Sequence, residues 1–61
     1  MRKSYRVECN NGSKYFENAV DAFAFYHDKV NQGLRVEIYL RLVEKTKRYF
    51  KITEELLDSS V

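Results

Sequence analysis

The sequence predicts an α+β fold, ββαββ, with a four-stranded antiparallel sheet and one helix packed on one sheet face. Three observations lead there. Residues 18–32 hold the one long helical pattern, alternating apolar and polar runs lie on both sides of it, and a turn signal divides each flank into two.

Ser4 to Asn10 alternates, with Tyr5, Val7 and Cys9 on one side and Arg6 and Glu8 on the other, the pattern of a half-buried strand. Asn11-Gly12 follows, a strong hairpin signal because a tight two-residue loop needs positive φ. With that loop Val7 faces Phe16 inward, while Glu8 faces Tyr15 and Arg6 faces Glu17 outward. The first hairpin is read as residues 4–17.

The helix over 18–32 places Ala19, Phe23, Tyr26 and Val30 on one face with Ala22 beside them. Asn18 caps its start, Asp21 stands at the third helical position, and Gly33 closes it in the left-handed conformation. Phe25 projects off this stripe, as does Ala24. It is either covered by Leu56-Leu57 folding back or left as a contact residue. His27 sits on a flank of the stripe.

Leu34 to Leu42 alternates as the longest strand, with Leu34, Val36, Ile38, Leu40 and Leu42 on one face and Arg35, Glu37, Tyr39 and Arg41 on the other, continued by Val43. Glu44-Lys45-Thr46 is a polar turn. A three-residue turn pairs Leu40 with Phe50 and Tyr39 with Lys51, putting Phe50 and Ile52 inward and Tyr49 and Lys51 outward. The second hairpin is thus 34–53. Thr53 can cap a last short helix, Glu54 to Asp58, in an acidic C-terminal turn over 54–61 whose end frays. Placing the two longest strands in the middle gives the strand order 2-1-3-4.

Sixty-one residues make one small domain, a size that buries only about 60% of its unfolded surface and needs good packing, a staple or self-association. Cys9 is the sole cysteine, so no disulfide forms within the chain, and a lone His27 offers no metal-ligand spacing. No apolar run is long enough for a membrane span, and no signal-peptide pattern opens the chain, so the protein is read as cytoplasmic. In that setting the glycosylation-type triplet Asn11-Gly12-Ser13 carries no weight. Residues 1–53 hold all eleven Lys and Arg against six acids, while the last eight residues hold three acids and no cation. A moderately basic body suits a polyanion or an acidic protein, at lower density than a dedicated nucleic-acid clamp.

No enzyme is expected. A Cys9–His27 pair is geometrically conceivable and would need an orienting acid, but a packed thiol and a boundary histidine are much commoner. No two carboxylates form an acid/base couple, and Gly12 and Gly33 are explained by a turn and a cap rather than a phosphate loop. No cofactor, metal or small-molecule substrate is implied. The informative surface is the sheet face away from the helix, which displays Tyr15, Tyr39 and Tyr49 among Arg35, Arg41 and Lys51, with Arg6, Lys47, Val43 and the glutamates 8, 17 and 37. Tyrosine and arginine are ordinary partners in cross-strand pairs, and they are also the residues enriched at protein-binding hot spots. Aromatics on a basic sheet can stack bases as well, but three glutamates on the same face repel phosphates.

The size and element order resemble the small interaction proteins of phages and mobile elements, which include inhibitors of host enzymes and anti-defence proteins. That resemblance implies an inhibitor or regulator of a host protein, and the basic body argues against DNA mimicry. The expected function is a protein-binding module that uses the Tyr/Arg outer face, with a second copy of itself as one partner through Tyr39, Val43 and Tyr49. The alternative is a single-stranded nucleic-acid binder using the same face.

Overall fold

The helix is fixed at both ends by its own sequence. In the computed structural model, which describes residues 2–10 and 12–61, α1 spans Ala19–Asn31. Asn18 Oδ1 accepts from the Asp21 N–H at 2.8 Å, satisfying one of the free donors of the first turn. Asn18 Nδ2 in turn donates to Asp21 Oδ2 at 2.9 Å. At the other end Gly33 adopts φ 78°, its N–H donates to the Val30 carbonyl, and the Leu34 N–H donates to the Lys29 carbonyl. These two bonds make a Schellman motif and turn the chain into the next strand.

Around the helix lie β1 (Arg2–Cys9), β2 (Gly12–Phe16), β3 (Val36–Lys45) and β4 (Phe50–Ser59), all antiparallel, in the order β2-β1-β3-β4. The ββαββ architecture and the strand order are as the sequence predicts. The reason offered for the order is not: β4 is as long as β3, yet lies at the edge. Helix α1 packs on β1, β2 and β3 and does not reach β4. Val7, Val36 and Ile38 from the sheet meet Ala22 and Tyr26 from the helix, all at most 3% exposed, ringed by partly buried Tyr5, Cys9, Phe16, Phe23, Phe25, Val30 and Leu34. Among the described residues no helix is long and apolar enough to cross a membrane.

Four expectations are corrected. Phe25 belongs to the edge of the core, its ring 5.4 Å from that of Phe16, while Val20 on the far side of the helix is 79% exposed. The apolar face is therefore rotated toward Phe25, because Phe16 at the end of β2 supplies an aromatic partner there. Leu56-Leu57 does not cover it, being part of β4.

In the first hairpin Val7 faces Lys14 and Tyr5 faces Phe16, a shift of two residues from the expected register. Faces are preserved, since the side-chain period is two. The shift gathers Tyr5, Phe16 and Phe25 at one end of the core and brings Lys14 Nζ over the Phe25 ring at 5.1 Å. Arg6 then faces Tyr15, and Glu17 pairs with Arg2 instead of Arg6. Asn11 of the expected loop lies outside the described residues.

The second turn is longer than expected. Thr46–Tyr49 forms the loop, with Thr46 Oγ1 donating to the Tyr49 carbonyl at 2.7 Å and accepting from the Tyr49 N–H at 3.1 Å. Lys45 faces Phe50, so Leu40 faces Glu55 and Tyr39 faces Leu56. An even loop reverses the parity of the whole strand. Phe50 and Ile52 turn to the outer face, at 63% and 51% exposed, and Lys51 turns to the helix side opposite Glu44.

The expected C-terminal helix is absent. Residues 54–58 continue β4, with a bulge against Ile38/Tyr39, because pairing with the full length of β3 outweighs the local cap at Thr53. The end is also held: the Ser60 N–H donates to the Val36 carbonyl at 2.9 Å, and the Val36 N–H donates to Ser60 Oγ at 2.8 Å.

Candidate functional site

With α1 on one side, the alternation of each strand decides what the other side carries. From β2 to β4 one row reads Tyr15, Arg6, Tyr39, Leu56; the next holds Ser4, Arg41 and Glu54; beyond it come Arg2, Val43 and Ile52, then Lys45 and Phe50. Arg6 is the hub. Its Nε and Nη2 donate to Glu54 Oε2 and Oε1 at 2.9 and 3.0 Å, a two-point contact, and its Nη1 donates to Glu8 Oε1 and Ser13 Oγ at 3.0 and 3.1 Å. The same guanidinium lies 4.3 Å from the centre of the Tyr39 ring.

The charges respond to this geometry. The hydrogen bonds from Arg6 hold the Glu54 carboxyl below its ordinary range against the opposing effect of desolvation. Arg6 is held still more firmly protonated, first by its hydrogen bonds to Glu54. Tyr39, removed from water and with Glu37 and Glu8 nearby, has its hydroxyl pushed above the usual phenol value. Arg41 is less well served. Its guanidinium lies 5.0 Å from the Tyr15 ring centre, and its Nε sits 3.8 Å from Glu54 Oε2, buried and without a hydrogen bond.

Tyr15, Tyr39 and Arg41 are thus brought together on one face as the sequence predicts. Tyr49 lies in the β3–β4 loop at 63% exposed. Arg35 precedes β3 at the far end and lines a shallow groove of about 230 Å³ with Glu8, Cys9, Asn10, Gly12 and Glu37. Lys51 is on the helix side and leaves the expected set. Sequence reasoning missed Arg6 as the hub, together with Glu54 and the apolar strip of Phe50, Ile52 and Leu56. The even-numbered apolar positions of 50–56 were visible, but only in a strand phase that leaves Leu40 opposite a charged residue.

A second groove, about 400 Å³, runs along Arg2, Ser4, Tyr15, Glu17, Arg41 and Val43 on this face. Elsewhere, His27 is exposed with its ring against Tyr26 and Phe23, and Cys9 is half-buried in β1. Among the described residues no three His, Cys, Asp or Glu side chains are grouped to hold a metal ion. Comparison with protein-family models, curated proteins and solved structures gives no match.

Proposed function

We propose that the chain is a small non-enzymatic protein-binding module, of the inhibitor or regulator kind that works by occupying a partner, and that it binds through the outer sheet face. The observation that carries this reading is the strip of Phe50, Ile52 and Leu56, each more than half exposed, beside Tyr39 and the 55% exposed Tyr15. Apolar and aromatic side chains set on either side of Arg41 and Glu54 on one sheet face gain by leaving water with a complementary surface. Arg41, whose side chain keeps 27% of its surface exposed and whose closest carboxylate lies 3.8 Å away, supplies a cation that a partner's carboxylate can meet.

The same geometry weighs against single-stranded nucleic acid. Arg6 is already neutralised by Glu54 and Glu8, and guanidinium groups occupy one face of both Tyr39 and Tyr15. A stacking platform needs open rings and uncommitted cations. The test is photo-crosslinking from a benzophenone side chain at Ile52, compared with one at Val20 on the exposed side of α1. A defined adduct from Ile52, absent from Val20 and lost on Tyr39→Ala, is expected. Equal adducts from both positions overturn the reading.

A further inference from the structure

The free edge of β4 is the feature that the outer-face reading leaves unused. Edge strands are ordinarily blunted, and β2 at the other edge is short. Strand β4 is ten residues long and its backbone pairs with β3 alone. Thr46 and Tyr49 face each other as a hydrogen-bonded pair, so alternation turns the backbone groups of Lys51, Thr53 and Glu55 toward β3. Those of Phe50, Ile52, Glu54 and Leu56 are left pointing out of the sheet.

We infer that a second copy of this chain pairs here, β4 against β4 antiparallel about a two-fold axis through Thr53, making one continuous eight-stranded sheet. Three observations fix that register. A two-fold normal to the sheet keeps the faces aligned only if one residue lies opposite itself. The regular stretch of the edge runs from Phe50, where the loop ends, to Leu56, where the bulge begins, and Thr53 is its midpoint. Centring there places Lys51 opposite Glu55 of the second copy twice over on the helix side, and Phe50 opposite Leu56 on the outer side. Centring on Lys51, Glu54 or Glu55 sets like charges face to face, and centring on Ile52 forms no ion pair. The inference makes self-association specific and stands whether or not the outer face binds another protein.

The full chain is expected to sediment as a dimer at high micromolar concentration. Lys51→Glu and Glu55→Lys, each checked for folding by circular dichroism, should each weaken the dimer at least tenfold. An equimolar mixture of the two should recover it, because each then meets its opposite charge. In a Cys9→Ser background, Thr53→Cys should oxidise to a disulfide-linked dimer, while Lys47→Cys in the loop should not. A monomeric parent, a mixture that associates no better than the single variants, or equally fast cross-linking at Lys47 overturns the inference. So does a dimer that survives both charge reversals but is lost on Val43→Asp, which would assign the contact to the outer face.

Discussion

At the scale of single residues, Arg6 and Glu54 join strands that are not neighbours: β1 and β4 are separated by β3, and the two-point contact spans it. Both side chains are partly shielded, at 15% and 31% exposed, so the pair is worth more than a fully solvated one and less than a buried one. Its signature is pH dependence. A carboxylate whose folded pKa lies below its unfolded value contributes stability that is fully present above the unfolded value and is lost as pH falls through the folded one. Thermal melts of the parent should therefore drop as the solution is acidified below the ordinary carboxylate range. Glu54→Gln should start about 1 kcal/mol or less below the parent at neutral pH and lose less on acidification. If both fall in parallel, Glu54 does not carry the acid sensitivity.

At the scale of elements, what could be read from the sequence depended on whether the deciding forces were local. The ends of the helix were legible, since Asn18, Asp21 and Gly33 act within one turn of their own backbone, whereas its inclusion of Phe25 on the core side depends on Phe16 of β2. The faces of β1, β2 and β3 were legible too, because alternation survives a two-residue error in register. Parity in β4 was not. It rests on the four-residue loop that the backbone and hydroxyl of Thr46 close onto Tyr49, and a one-residue change in loop length sends Phe50 and Ile52 to the opposite face. Inside/outside logic misled here for a physical reason: α1 stops short of β4, so its helix-side face has nothing to pack against and places no demand on Lys51, Thr53 or Glu55. The outer-face tyrosines were found for the same reason that Arg6 was missed: face membership is local, whereas the partnership with Glu54 needs the β4 register. Substitution separates the two parities. Ile38→Ala, at a fully buried site, should cost about 2–5 kcal/mol and lower the denaturation midpoint steeply. Phe50→Ala should leave the midpoint nearly unchanged. A large loss from Phe50→Ala would return Phe50 to the core.

At the scale of the whole molecule, the long β3–β4 arm makes the protein elongated, 43 × 20 × 16 Å with a radius of gyration of 12.5 Å, against about 10.5 Å for a compact chain of this length. Charge is distributed along that length. Lys45, Lys47, Arg48 and Lys51 crowd the arm, with Arg2 and Lys3 paired beside it at Val43 and Leu42, while the acids of 54–58 fold back along β3. A basic tip of this kind attracts any polyanion weakly and without orientation. A random single-stranded oligonucleotide should therefore bind only at low salt, through the arm, with affinity falling steeply as salt rises. Lys47→Ala and Arg48→Ala should each reduce the salt slope by about one unit. Tyr39→Ala should leave this binding unchanged, because its ring is covered by Arg6 on one side and flanked by Leu56 on the other. Fluorescence anisotropy over a salt series decides the matter. If Tyr39→Ala weakens oligonucleotide binding by about 1–3 kcal/mol, the value of one stacked base, the outer face reads nucleic acid and the protein-binding proposal falls.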